Sequence, residues 1–164
     1  MDETNLKSEK YQIAQVNIGK ILGLMDGTIM RDFAVNLEPI NQLAEQSKGF
    51  VWRLKDEEDN ATNIKVFEDD MIIINMSVWE TIDDLFKFTY QTQHADFLKR
   101  RREWFERLKD MYMVLWYIPA GNIPAPQDAI EKLKYVNEHG DTPHAFSFRN
   151  RFSVEDFKQT QSVK

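Results

Sequence analysis

Apolar and polar positions alternate with period two over residues 11–18: Ala14, Val16 and Ile18 fall on one side, Ile13, Gln15 and Asn17 on the other. This predicts a strand with one apolar and one mixed face. From Ile29 the spacing changes to threes and fours, through Phe33, Ala34, Leu37, Ile40, Leu43 and Ala44. A helix follows from that spacing, with Pro39 at a kink or in the first turn of a restarted helix, and Gly49 as its end. Residues 50–54 read as a short strand with Phe50, Trp52 and Leu54 on one side and Val51 and Arg53 on the other. The acidic stretch 55–63 reads as an exposed loop.

The clearest strand is 71–79, where Ile72, Ile74, Met76 and Val78 make a wholly apolar face and Ile73, Asn75, Ser77 and Trp79 a mixed one. Thr81, followed by Asp83 and Asp84, has the form of a helix N-cap, and Ile82, Leu85, Phe86 and Thr89 continue at helical spacing. A further helix is predicted from His94 to about Lys109, then a strand over 111–118, then a helix opened by Pro126 and closed by Gly140. Residues 145–152 are expected to be extended.

The resulting order, β-α-β-β-α-β with an extra helix, is the ferredoxin-like α+β pattern: an antiparallel sheet with helices on one face. One domain is expected over residues 11–152, with a flexible N-terminus at 1–10 and a polar tail at 153–164 that is loose at its end. The mixed faces hold Ile13 and Ile73 beside their polar groups, too much apolar surface to leave to water. A second sheet from a homodimer partner is therefore expected to cover them, giving an eight-stranded dimeric α/β barrel with a small-molecule cavity inside.

The composition narrows the chemistry. No cysteine is present, which excludes disulfides, Cys-ligated metals and thiol nucleophiles. With 21 Lys+Arg against 27 Asp+Glu, the net charge of −6 argues against sequence-independent nucleic-acid binding. No apolar run is long enough for a membrane span or signal peptide, so a cytoplasmic location is the simplest expectation. No phosphate-binding glycine loop, dinucleotide fingerprint or Ser-His-Asp order is found.

Several motifs occur in order: Gly49-Phe50-Val51-Trp52-Arg53-Leu54, Met76-Ser77-Val78-Trp79-Glu80, the segment with His94 and Arg100-Arg101-Arg102-Glu103-Trp104-Phe105, and Leu115-Trp116-Tyr117-Ile118-Pro119-Ala120-Gly121. Together they resemble an uncharacterised bacterial domain family of the dimeric α/β barrel superfamily, alongside the antibiotic-biosynthesis monooxygenases. The resemblance implies the barrel fold and, as chemistry, a cofactor-independent monooxygenase. Its haem-degrading branch implies haem as the alternative cofactor, with Asn17, Trp79 and His94 at the pocket positions, although His94 follows Trp79 by 15 residues and a helix has room to intervene.

At about 100° per residue, a continuous helix from His94 places Phe97, Leu98, Phe105 and Leu108 on the histidine's face, with Arg101 near the centre of that stripe. A guanidinium in an apolar stripe needs a carboxylate, backbone carbonyls, a route to water or a ligand anion. The candidate catalytic residues are His94, as proton acceptor, and Asn17. Trp79, Asn75 and Arg101 are the candidate substrate-binding residues, Trp79 as a stacking wall. Each has a plainer reading: a satisfied core histidine, asparagines bridging through water, a tryptophan filling the core, an internal ion pair. His139, His144 and Asp141 lack a third strong ligand arrangement, so no metal is expected. A non-catalytic dimeric binding or interaction protein is the remaining alternative.

Overall fold

The computed structural model describes residues 10–56 and 59–162. Strand β1 (Tyr11–Lys20) lies inside the sheet, flanked by β3 (Ile72–Trp79) and β4 (Met113–Pro119), and β2 (Phe50–Arg53) pairs with the outer edge of β3. The order β2-β3-β1-β4 is antiparallel at every step. Register sets Ile13 opposite both Trp79 and Tyr117, and Asn17 opposite Asn75 and Met113. A one-residue slip would exchange the two faces, so this register decides which side chains meet in the interior.

Helix α1 (Arg31–Gln46) connects β1 to β2 and carries Pro39 within it. Helices α2 (Ile82–Gln91), α3 (His94–Lys99) and α4 (Arg101–Trp104) connect β3 to β4, and α5 (Pro126–His139) and α6 (Val154–Ser162) follow. Thr81 caps α2 by accepting from the Asp84 amide at 3.1 Å, as its spacing predicts. Asp128 accepts from the Ala125 amide at 2.8 Å at the start of α5. Gly140, at φ 74°, ends that helix in a conformation open to glycine.

Helices lie on both sheet faces. The apolar face, built by Ala14, Val16, Ile74, Met76, Val78 and Trp116, is covered by Ala129, Leu133 and Val136 of α5 and by Ile64 and Val66 of the connection before β3. The mixed face is covered by Ile40, Leu43 and Ala44 of α1, by Leu85 and Phe88 of α2, and by Phe146, Phe152 and Phe157 from the C-terminal segment. Two expectations are corrected here: helices are not confined to one face, and the mixed face does not await a second sheet. The four-stranded antiparallel sheet of this α+β chain is not closed into a barrel, and the homodimer loses the reason given for it. Periodicity identified which face was mixed, but helices α1 and α2 and the C-terminal segment supply its cover from within the chain.

Two further differences concern segments. The helix expected over 94–109 stops at Lys99, turns at Arg100, resumes for one turn and ends at Trp104. Beyond it, the Glu106 amide donates to the Lys20 carbonyl at 2.8 Å and Leu22 donates to the Trp104 carbonyl at 2.8 Å, so the segment lies along the end of β1 instead of continuing as helix. The C-terminal segment is helical over Val154–Ser162, and Phe157 of α6 packs on Tyr11 and Tyr117 with ring centroids 5.4 and 5.8 Å apart. The Tyr117 hydroxyl donates to the Phe152 carbonyl at 2.6 Å. Of the expected flexible N-terminus only Lys10 falls among the described residues, and its carbonyl accepts from Ala120 at 2.8 Å.

Candidate functional site

Between the mixed sheet face and helices α1 to α4 lies a cavity of about 230 Å³. Its floor is a hydrogen-bonded row of polar side chains on β1 and β3. Gln15 Nε2 donates to Asn75 Oδ1 at 2.9 Å and to Ser77 Oγ at 2.8 Å, and Asn17 Nδ2 donates to Gln15 Oε1 and Asn75 Oδ1, both at 3.2 Å. Trp79 Nε1 completes the row by donating to Ser77 Oγ at 2.9 Å. Gln15, Ser77 and Trp79 are buried, Asn17 is half-buried, and Asn75 is exposed although it sits in the middle of an interior strand. Such exposure marks the place where the cavity opens between the helices. Each buried amide would be costly without partners, and the row supplies them.

His94 reaches the cavity because of how α2 ends. The last carbonyls of a helix have no intrahelical donors. Thr92 Oγ1 donates to the Phe88 carbonyl at 2.6 Å, and the His94 Nδ1 donates to the Thr89 carbonyl at 3.0 Å. A carbonyl only accepts, so Nδ1 carries the proton and the neutral ring presents a lone pair at Nε2. Burial pushes the His94 pKa below its ordinary value, partly opposed by the Thr89 bond. The ring packs against Phe88 at 4.9 Å between centroids.

Arg101 comes from the break between α3 and α4. Its Nη2 donates to the Ile18 carbonyl at 3.0 Å, where β1 has run past the start of β4, and its guanidinium lies over the Tyr112 ring at 4.2 Å and near Phe105 at 5.1 Å. Among the described residues it forms no ion pair. Burial lowers its pKa, opposed in part by Tyr112; a guanidinium stays charged under such a shift. The neighbouring Arg100 is different, tied to Asp32 and Glu103 at 2.7 Å each. Arg53, buried beneath the cavity, is paired with Glu45 at 2.8 Å and Asp59 at 3.0 Å.

All five residues singled out in the sequence, Asn17, Asn75, Trp79, His94 and Arg101, therefore border one cavity. The role expected for Trp79 is corrected. It has no exposed area, its ring is stacked on Phe88 at 5.1 Å and met edge-on by Phe50 at 5.5 Å. Its faces are already used, so it backs the floor and is not an open stacking wall. The accessible aromatic edge is formed by Tyr90 and Tyr112. The residue missed in the sequence is Gln15, the hub of the floor; the signal was a glutamine between Ile13 and Asn17 on a central strand. No Asp or Glu lines the cavity among the described residues, although the chain carries 27 of them.

Outside the cavity, the three residues considered for a metal serve separate partners. His139 packs on Tyr135 at 4.3 Å, His144 Nε2 accepts from Lys132 at 2.9 Å, and Asp141 accepts from Ser147 and Asn150. No cluster of three His, Asp or Glu able to hold a metal occurs among the described residues. No helix among them is long and apolar enough to cross a membrane.

Fold and site together define a single-sheet α+β domain with a polar-floored pocket open at Asn75. The chain belongs to the family DUF3291, a domain of unknown function, whose match spans residues 12–162. Neither the curated proteins nor the solved structures yield a match to it.

Proposed function

We propose that the chain binds a small planar organic anion in this cavity. One observation carries the reading: in a chain of net charge −6, the cavity is lined by no carboxylate, and the Arg101 guanidinium beside it has no acidic partner among the described residues. Charge of that sign, half-withdrawn from water and stacked on Tyr112, favours an anion that brings its own carboxylate or enolate. At about 230 Å³ the cavity lies below the roughly 300–1,000 Å³ of pockets that hold drug-sized ligands, which suits a smaller molecule.

The monooxygenase-like extension of this reading places His94 as the base. A proton would leave a ligand carbon for Nε2, and the enolate or carbanion left behind would face Arg101; this is the first demand that cofactor-independent oxygenation makes on a protein. A haem-binding reading is favoured by one feature, the anchoring of Nδ1–H on a backbone carbonyl, which orients imidazole ligands. Against it stands the cavity volume, small for a tetrapyrrole.

Native mass spectrometry with an absorbance scan on gently purified protein separates these readings and reports subunit number. A bound organic acid lost in Arg101→Met supports the proposal, and a Soret band lost in His94→Ala replaces it with haem. Variants that change stability or association, with no ligand affinity to alter, would favour an interaction protein instead.

A further inference from the structure

The floor of the cavity has hydrogen-bonding capacity left over, and what remains has a definite pattern. Asn17 Nδ2 spends both hydrogens, on Gln15 Oε1 and Asn75 Oδ1; Gln15 Nε2 spends both, on Asn75 Oδ1 and Ser77 Oγ. Among the described residues, two amide groups of the row are left without a protein partner: the Asn75 amide NH2, a donor, and Asn17 Oδ1, an acceptor. Reversing every amide in the row satisfies the same contacts and leaves the complementary remainder, an Asn17 donor and an Asn75 acceptor. In either sense two neighbouring residues, opposite each other across β1 and β3, present one donor and one acceptor.

Ordinary strand asparagines facing a packed interior do not do this, because an unpaired amide group there is costly. Here the two residues sit where the cavity opens, so the groups are wet when the cavity is empty and are available to a ligand. A carboxylate alone, which only accepts, matches half of the pair; a plain aromatic ring matches neither.

We infer that the ligand carries, besides its anionic group, an adjacent hydrogen-bond donor and acceptor on a planar ring, as a cyclic amide does, and that this edge pairs with Asn17 and Asn75 while the anionic group faces Arg101. This inference rests on the cavity reading above and names the substrate class for it. The lactam N–H meets the free amide oxygen and the lactam C=O meets the free amide NH2. Two parallel bonds fix the ring's orientation, which places one ring edge toward His94 or away from it according to where the anionic group is attached.

Calorimetric titration with two probes tests the inference: 2-oxo-1,2-dihydroquinoline-4-carboxylate, which has the lactam edge, and quinoline-4-carboxylate, which lacks the donor and the carbonyl but keeps ring and charge. The lactam should bind tighter by on the order of tenfold, the worth of a net hydrogen bond in a partly wet site. In Asn75→Ala, which also frees the Gln15 and Asn17 amides that bond Asn75 Oδ1, the ratio of the two affinities should fall close to one. Equal affinities in the wild type overturn the inferred edge and leave the anion cavity standing. Binding of neither probe at millimolar concentration overturns both. Because Asn75 is exposed, its truncation does not empty a packed core, and a folded variant is checked by its circular dichroism.

Discussion

His94 Nδ1 stands 3.0 Å from the carbonyl oxygen of Thr89, five residues earlier, across the turn that separates α2 from α3. The bond ends one helix and fixes the tautomer of the imidazole at the same time. It also has a consequence for stability. Burial holds the folded-state pKa of His94 below its ordinary value of about 6.5. As pH falls through that value the unfolded chain takes up a proton that the folded protein still refuses, so the unfolded state is favoured. The contribution is fully present above about pH 6.5 and is lost on acidification below it. His94→Gln should therefore lose less thermal stability between pH 7 and pH 5 than the wild type does, measured by the shift in Tm for each protein. His144, whose pKa is also lowered by burial and by Lys132, titrates in both and cancels from the comparison. An acid-induced loss of the same size in the variant would mean that His94 is not the buried, neutral group described.

Arg101 separates function from stability. Its guanidinium gives up hydration for one backbone carbonyl and two ring faces, with no carboxylate to balance the charge. A residue kept for structure would be missed on removal; a residue kept for a ligand need not be. Arg101→Met, which retains the length of the side chain, should leave Tm unchanged or raise it, and should weaken binding of quinoline-4-carboxylate by at least about tenfold. Differential scanning calorimetry and the calorimetric titration read the two effects on one preparation. A sharp fall in Tm would place Arg101 among the structural cations instead, beside Arg53.

The sequence made the strands legible because their faces are written in period two, but an even shift keeps the same faces, so the pairing of Asn17 with Asn75 is read from the structure. Of the cavity's residues the sequence made Asn17, Asn75, His94 and Arg101 legible, each a polar or charged group on a stripe that also carries apolar side chains. What it could not show was cover. Ile40, Ala44, Leu85 and Phe88 have the spacing of any amphipathic helix, and nothing in that spacing says which sheet face they cross. Trp79 looked open for the same reason: that Phe88, on the next helix, would fold back to stack on it, and that Phe50 of β2 would pack beside it, is a matter of tertiary structure. The break at Arg100 was hidden because no glycine or proline marks it; beyond Trp104, backbone bonds from Leu22 to the Trp104 carbonyl and from Glu106 to the Lys20 carbonyl outweigh the helical preference of residues 105–109.

Gln15 is where the floor is most vulnerable. It is buried, and its amide serves Asn75, Ser77 and Asn17 at once. Gln15→Leu keeps the volume and removes all three bonds, leaving Asn17 and Ser77 to find other partners. The expected cost is about 1–3 kcal/mol, from buried polar groups that lose their partners and are only partly reached by water. Chemical denaturation measures it. The same variant should broaden or shift the Trp79 indole N–H resonance, since Ser77 Oγ, its acceptor, loses the Gln15 donor that helped hold it. A change confined to stability, with that resonance unmoved, would show that the row is not coupled as far as Trp79.

The end of β1 offers a test of how tightly the cavity's far wall is built. Gly19 faces Phe105, and a Cβ added there would stand 2.5 Å from Phe105 Cδ1, far inside contact distance. The ring is not free to retreat: it meets Phe33 edge-on at 5.2 Å, lies beside the Arg101 guanidinium, and its residue is bridged to Ile21. Gly19→Ala should therefore destabilise the fold by about 1–3 kcal/mol through overpacking, in spite of alanine's smaller backbone entropy cost. Relief should come from the ring side. Phe105→Leu alone removes aromatic contact and costs stability of its own, but in combination with Gly19→Ala the two losses should add to less than their sum, because the smaller side chain leaves room for the new methyl group. A double-mutant cycle by urea denaturation gives the coupling directly. Strict additivity would mean that the methyl group is accommodated by movement of β1 itself, and the position of Arg101, which donates to Ile18 on that strand, would move with it.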